Sequence, residues 1–449
     1  MDRHNYIDIL SEQVRCKKAL PIVVKELEAH IDDQKKAFMS EGMTEREAEE
    51  AAVREMGDPV SVGVDMDRIH RPKMNWRIIL MITIVSLAGL GLQWYMTVSI
   101  TDVALPFLYN PVRYLFYTIA GVVVMVAVCY VDYTRIAYRA KELLIIYYIF
   151  LIVSVLSGPT VNGANYAGIW FLGIHFDVRM SVFLFIPLYC AVVYSYEGQG
   201  YQGLLKAVLI TIPQMLICGI MEAFLMIPIL AIILSVAVYK KYFKVAVKKM
   251  VAAIWGVTVL LPIICVMGIM RSGAPYQAMR LKVMMNPEKY AMEEGYQFWV
   301  IRKLLQGSKL IGRNPNVLEV SGQVPDNPSL ILAYITSYYG VLAAGLVIGM
   351  ILFVILRLAK LSVRQKNRLG SLIGIGCTAA VVIHIIMYVL VNMGVIISGY
   401  VYCPFITYGG TGIIFMDITF GIMLSIYRYQ NVSEAEVPKK MFQRRKCQG

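Results

Sequence analysis

The sequence predicts an all-α, polytopic membrane protein of about ten transmembrane helices, preceded by a small soluble helical domain. Three observations predict it. The 449 residues are 58% hydrophobic, with a mean hydropathy of +0.61, more apolar than soluble globular domains. From Arg77 onward, apolar runs recur at roughly the twenty-residue length that crosses a ~30 Å hydrocarbon layer. Basic residues gather in alternate connections between those runs, the asymmetry that sets orientation in a membrane.

Residues 1–73 read as a separate soluble module. Pro21 suits a helix start. Val24, Leu27, Ile31 and Phe38 follow at helical spacing and form one apolar stripe. Thr44 to Glu47 reads as a capping box opening a second helix. That helix is expected to stop at Gly57-Asp58-Pro59. Nothing in the module is catalytic in pattern, so it reads as a docking or regulatory element. No cleavable signal peptide is expected, because this stretch is polar and helical.

The spans are predicted at 77–100, 112–131, 143–157, 181–196, 204–220, 222–239, 248–270, 329–356, 370–396 and 403–427. One set of connections carries Arg135, Arg139 and Lys141, then Lys240, Lys241 and Lys244, then Arg357, Lys360 and Arg364. The tail, 431–449, adds Lys439, Lys440, Arg444 and Arg445. That set, both termini and the soluble module are expected in the cytoplasm. The one long loop on the other side, 271–328, is then external. The net charge of +13 fits topology and anionic membrane lipids, not nucleic acid. The eight cysteines show no metal spacing, and most lie in apolar runs as small hydrophobes. No cofactor is called for; a divalent cation beside a phosphate is the open alternative.

Two stretches suggest a site. Tyr296, Phe298 and Trp299 with Ile301, Leu304 and Leu305 make an amphipathic interfacial segment, from which Arg302 and Lys303 project towards headgroups. A pyrophosphate-linked lipid suits such cations; general contact with anionic lipids is the alternative. The second stretch is broken backbone between the last two apolar runs, with Pro404, Gly409 and Gly410. In hydrocarbon such backbone is tolerated where it lines a cavity or is buried in protein. Paired glycines allow close approach and unusual conformations; the alternative is a simple bend or tight helix packing. His384 and Asp417 lie inside spans, where ionisable groups draw attention. His384 reads as a hydrogen-bonded interhelical residue.

The string Pro404, Phe405, Ile406, Thr407, Tyr408, Gly409, Gly410, Thr411 resembles the Pro-Phe-x-Ser-Tyr-Gly-Gly-Ser signature of the SEDS family (FtsW, RodA, SpoVE). Asn392 to Val395 is similar to its Asn-x-Gly-Val. In the long loop, Arg280, Asn286-Pro287, Gly295-Tyr296-Gln297 and Gly312 follow the family's order. The module up to Pro59 resembles the short helical prefix found before some permeases and SEDS proteins. The resemblance implies a bacterial cell-membrane protein of cell-wall assembly in division, elongation or sporulation. It implies binding, and in active members polymerisation, of lipid II, an undecaprenyl-pyrophosphate-linked disaccharide precursor, with a class B penicillin-binding protein as partner. Arg280, Asn286, Tyr296, Gln297, Arg302, Lys303, Tyr408, Gly409, Gly410 and Thr411 become the candidate substrate-binding residues.

Such a transfer needs a base for the acceptor hydroxyl. The family's aspartate position falls on Ser329, or on Leu330 when counted from Pro325. Neither is an acid. Asp326 is the nearest acid and the candidate base, with helix capping or a proline-rich turn as its other role. The segments that match the family's fourth to sixth spans are eroded, leaving Trp170, Arg179 and Glu222 isolated. A non-catalytic regulator or scaffold for a penicillin-binding protein is therefore the second reading. A transporter of lipid-linked precursor is the third, opposed by the lack of matched halves with broken spans.

The orientation has a direct check. Lys303→Cys should react with a membrane-impermeant maleimide in intact cells, and Lys440→Cys should not, each scored over the unsubstituted chain. Labelling at 440, or none at 303, would overturn the topology.

Overall fold

The computed structural model describes residues 1–99, 111–158, 160–161, 164–165, 168–171, 174–218, 220–272, 275–291, 295–315, 317, 328–365, 367–396 and 401–432. Four helices come first: α1 (Arg3–Gln13), α2 (Leu20–Ser40), α3 (Glu45–Glu55) and α4 (Pro59–His70). They enclose a core of their own around Tyr6, Leu10, Val23, Leu27, Ile31 and Val53. Leu27 and Ile31 of the predicted stripe are fully buried, and Val23 takes the place predicted for Val24. Thr44 and Glu47 form the expected capping box. Gly57 takes a left-handed turn, φ +83°. The chain does not stop there: Asp58 accepts a hydrogen bond from the Ser61 amide, 2.8 Å, and starts α4 with Pro59 in its first turn. Proline at a helix start lacks only an amide that would have no partner there.

The apolar helices follow. They are α5 (Trp76–Ser99), α6 (Pro111–Tyr130), the short α7 (Tyr133–Tyr138), α8 (Ala140–Ser157), α9 (Val182–Ser195), α10 (Gly200–Cys218), α11 (Ile220–Tyr239) and α12 (Val247–Ser272). Then come α13 (Pro275–Met285) and α14 (Tyr296–Leu305) in the long loop, and α15 (Ile331–Tyr339), α16 (Val341–Val363), α17 (Arg368–Asn392) and α18 (Gly410–Arg428). Among the described residues nine helices are long and apolar enough to cross a membrane, so this is a multi-pass membrane protein. The 19-residue α10 stands where the fifth of the ten predicted spans was placed. Between α8 and α9 lie two small antiparallel hairpins, Thr160–Val161 with Ala164–Asn165 and Gly168–Phe171 with Ile174–Asp177. They are the one departure from an all-helical chain among the described residues.

The centre of the bundle is the pair α6 and α18, with α9 and α17 packed beside them. α9, α17 and α18 are the most enclosed spans, whereas the spanning part of α12 buries none of its residues. Gly421 lets α18 approach α6 closely: a Cβ there would meet the Met125 carbonyl oxygen at 2.7 Å.

The predicted eighth span, 329–356, is not one helix. It breaks at Gly340, φ +99°, so the long helix is α16 and α15 stands apart before it. A break inside an apolar run leaves orphan amides and carbonyls. The chain at 309–314 supplies their partners. The Gly312 and Asn314 amides donate to the Tyr339 and Ser337 carbonyls at 3.1 and 2.8 Å. The Val341 and Leu342 amides donate to the Lys309 and Leu310 carbonyls at 3.0 and 3.1 Å. The buried Asn314 side chain then binds the Leu304 and Gln306 carbonyls, both at 2.9 Å, tying α14 to the break. The last helix likewise starts at Gly410 and not at 403, because 401–409 is a compact turn.

Connections alternate between the two ends of the bundle. One end gathers the prefix helices, α7, the α11–α12 and α16–α17 connections and the end of α18. There Arg368 pairs with Glu197 at 2.6 Å and donates to the Lys240 carbonyl at 2.8 Å. The prefix binds this end: Lys18 pairs with Asp132 and meets the Thr134 hydroxyl at 2.8 Å, and the Asn431 side chain donates to the Ile69 carbonyl at 3.2 Å.

Gly340 supplies a test. A Cβ there would lie 2.5 Å from the Leu310 carbonyl oxygen, on backbone of the left-handed half, where strain costs about 1–3 kcal/mol. Gly340→Ala should lower the unfolding midpoint in detergent. Gly345→Ala, where a Cβ meets nothing within 4 Å, should leave it unchanged or raise it. Equal shifts would contradict the assigned role of the break.

Candidate functional site

The segment Val401–Thr407 is buried throughout. Its backbone turns at Phe405, a non-glycine residue at φ +72°. Such a conformation persists only when the surroundings fix it. Here they do. The Tyr114 hydroxyl of α6 donates to the Phe405 carbonyl at 3.1 Å. The Gln93 side-chain amide of α5 donates to the Ile406 carbonyl. The Cys403 amide donates to the Thr407 hydroxyl at 2.9 Å, closing the turn from within. The Phe405 ring stacks on Phe420 of α18, centroids 5.7 Å apart at 21°. The Phe405 carbonyl also lies against Gly89 of α5, where a Cβ would overlap it.

The paired glycines act differently from the sequence expectation. Gly409 is extended, φ 165°, a conformation open to any residue. Gly410 is needed for proximity: a Cβ there would meet the Tyr117 ring at 2.6–2.8 Å. Tyr408 is half-buried, edge-on to Tyr114 with centroids 5.6 Å apart, and the exposed Arg113 at the start of α6 stands near it as a positive charge. The Thr411 hydroxyl accepts from the Asp177 amide at 3.3 Å. Asp177 in turn holds Arg179 by a two-point pair, Nε to Oδ1 at 3.0 Å and Nη2 to Oδ2 at 2.6 Å. Signature residues Tyr408 and Thr411 therefore meet an arginine and an ion pair that the sequence reading passed over or left isolated. An Arg beside the start of a span is a weak sequence signal. The Asp177–Arg179 spacing of two was visible, but its contact with α18 is not local.

Ser329 joins the same end of the bundle. It is 1% exposed, as is Leu330. The Ser329 hydroxyl accepts from the Val401 amide at 3.4 Å. Asn392 at the end of α17 donates to the Ser329 carbonyl at 2.9 Å and accepts from the Ala333 amide at 3.1 Å. Ser329 thus stitches the start of α15 to α17 and to the turn. Asp326, the candidate base, lies outside the described residues.

Arg302 on α14 donates from Nε to the Gly394 carbonyl at 3.2 Å. Gly394, φ +64°, is the left-handed residue that ends α17, and a cation there answers the helix dipole. The guanidinium also lies 4.6 Å from the Phe298 ring centroid. Arg302 therefore has a structural task besides any ligand. Lys303 is exposed, 5.9 Å over the Trp299 ring. Tyr296 is half-buried at the start of α14, and Asn286 is exposed after α13. For Arg280 on α13 and Gln297 on α14 the backbone alone is described. The described structure thus brings Ser329 and Tyr408 to Thr411 together through the turn and the end of α17. It does not join Asn286 or Lys303 to them.

His384 is buried, bonds the Ala380 carbonyl of its own helix at 2.7 Å, and faces the Phe183 ring of α9 at 4.6 Å. The expected hydrogen bond is made, but within α17 and not between helices; its contact with α9 is ring packing.

Comparison with known proteins follows this geometry. A family model described as cell cycle protein, covering FtsW, RodA and SpoVE, matches residues 77–432. The chain is similar to a "Probable peptidoglycan glycosyltransferase FtsW" of Enterococcus hirae, 26% identical over 163 residues, 36% of this chain and 40% of that protein. The match thus spans well under half of the relative. In fold, the chain is similar to one from a structure described as structural coordination of polymerization and crosslinking by a peptidoglycan synthase complex. That likeness has a TM-score of 0.62 at 17% identity, covering 80% of this chain and 99% of the other. It is also similar to the rod shape determining protein RodA of Thermus thermophilus, with a TM-score of 0.51 at 14% identity, covering 80% and 97%.

Proposed function

The chain belongs to the FtsW/RodA/SpoVE family of cell cycle proteins, and from that premise we propose that it binds a lipid-linked pyrophosphate precursor at the end of the bundle where α18 begins, in the service of bacterial cell-wall assembly. That end is taken as external, with both termini in the cytoplasm. The observation that carries the proposal is the turn at Phe405 with its polar surround: Tyr408 with the Arg113 charge near it, and Thr411 bonded beside the Asp177–Arg179 pair. Rigid, prepaired groups of this kind suit recognition of an anionic headgroup, since arginine binds phosphate through charge-assisted hydrogen bonds. Arg280 and Lys303 are the further cations proposed for the pyrophosphate. A penicillin-binding protein is the proposed partner, supported by the peptidoglycan synthase complex among the similar folds.

Binding is better supported than glycan polymerisation. The two positions that align with the family's aspartate, Ser329 and Leu330, are buried and not acidic. Ser329 is engaged in holding backbone. If the chain is a polymerase, Asp326 is the proposed base, taking the proton of the acceptor hydroxyl as the pyrophosphate leaves.

Purified protein and fluorescent lipid II test both levels. The wild type should bind lipid II in preference to the undecaprenyl alcohol, and Arg113→Ala should weaken binding by about tenfold or more, the loss expected for one charge-assisted hydrogen bond. Equal affinity for the two lipids would sink the proposal. With a class B penicillin-binding protein present, a polymerase would form glycan and lose about 10²–10⁴ in rate on Asp326→Asn. A binder forms none in either chain. Glycan formation that Asp326→Asn leaves intact would remove Asp326 as base.

A further inference from the structure

Behind the turn at Phe405 lies a small cavity of about 20 Å³, room for one water or one dehydrated ion. Its polar lining comes from three helices and the turn: Ser86 of α5, Tyr114 and Thr118 of α6, Asp417 of α18, and Tyr402 and Phe405 of the turn. Asp417 is 5% exposed. Among the described residues it has no hydrogen-bond or ion-pair partner, although it sits in the middle of a membrane-spanning helix. It lies against bare backbone at Gly121, where a Cβ would overlap its carboxylate. A buried charge without a partner costs several kcal/mol, so the carboxylate calls for a counter-charge or a proton.

The hydroxyls around it favour a counter-charge. The Thr118 hydroxyl donates to the Tyr114 carbonyl at 2.9 Å. The Tyr114 hydroxyl donates to the Phe405 carbonyl at 3.1 Å. Both protons point to backbone oxygens, leaving oxygen lone pairs for the cavity. A buried carboxylate beside two such acceptors and the Ser86 hydroxyl, in a void of ion size, is the chemistry of a hard monovalent cation. We propose that Asp417, Thr118 and Ser86 hold a sodium ion that joins α5, α6 and α18 behind the turn. It is a site for a small dehydrated cation, distinct from any divalent ion at the pyrophosphate. It does not depend on whether the chain binds or polymerises glycan precursor.

The test is thermal unfolding of the purified full chain in detergent, at constant ionic strength, with sodium exchanged for N-methylglucamine. The unfolding midpoint of the wild type should rise with the logarithm of sodium concentration, as for any ligand that binds only the folded state, and potassium should be less effective. Asp417→Asn keeps the shape and removes the charge. It should move the sodium response to at least about tenfold higher concentration, a change equivalent to about 1.4 kcal/mol. Should Asp417→Asn not fold, Ser86→Ala carries the test: its sodium response should weaken in the same direction while the midpoint in N-methylglucamine stays near that of the wild type. A wild-type midpoint equal in the two salts would mean that a protonated acid and a water fill the cavity, and would overturn the proposal. So would a sodium response unchanged in Asp417→Asn, or in Ser86→Ala where that variant stands in.

Discussion

The left-handed backbone at Phe405 is the constraint on which the rest of the site depends. A non-glycine residue there costs about 1–3 kcal/mol, and in an apolar layer each unpaired carbonyl costs about as much again. The fold offsets the first cost and removes the second by bringing α5 and α6 to the turn. Gly89 makes room for the Phe405 carbonyl, Tyr114 bonds it, and Gln93 takes the next one. The exit from the turn then sets Tyr408 and Thr411 at the head of α18, facing Arg113 and Asp177.

The break at Gly340 follows the same logic with a different device. There the missing backbone partners come from the loop at 309–314 and not from side chains. Asn314 and Ser337 both bind the Leu304 carbonyl, so α14 is fixed to the break and its Arg302 reaches the end of α17. Asn392, the last residue of α17, holds the start of α15. The two interruptions of apolar helix are thus bridged by α17 and by Ser329, and α14, whose Ile301 and Leu304 are buried in the main core rather than turned to lipid, joins the same network.

Much of this architecture is legible in sequence because hydropathy and charge are sums over many residues. The spans, the polar prefix, the Thr44 box and the placement of Pro21 all rest on such local or summed signals. The failures are local features decided by distant partners. The run from 329 to 356 is continuously apolar, so nothing in its composition marks the break; the left-handed Gly340 becomes intelligible only with Leu310 beside it. Pro404 marked broken backbone, yet the strained residue is Phe405, which no propensity singles out. Gly409 and Gly410 were read together, but one is ordinary extended chain and the other is required by Tyr117. Gly57-Asp58-Pro59 carries both a stop and a start, and the stop alone was read. Family resemblance supplied the Tyr408 to Thr411 signature, whereas Arg113 and the contact of Asp177 with Thr411 needed the fold.

The central claim is that Tyr114 and the helices beside it hold the turn in place. Cys403 reports on this directly, since its thiol is free and wholly buried within the turn. The decisive measurement is the rate at which a small maleimide modifies Cys403, resolved by peptide mass spectrometry, in the wild type and in Tyr114→Phe, with buried Cys377 of α17 as the internal reference. Loss of one hydrogen bond to a strained carbonyl should raise the Cys403 rate by about tenfold, the equivalent of about 1.4 kcal/mol of opening free energy, and leave the Cys377 rate unchanged. Equal Cys403 rates in the two chains, or parallel increases at both cysteines, would contradict the account.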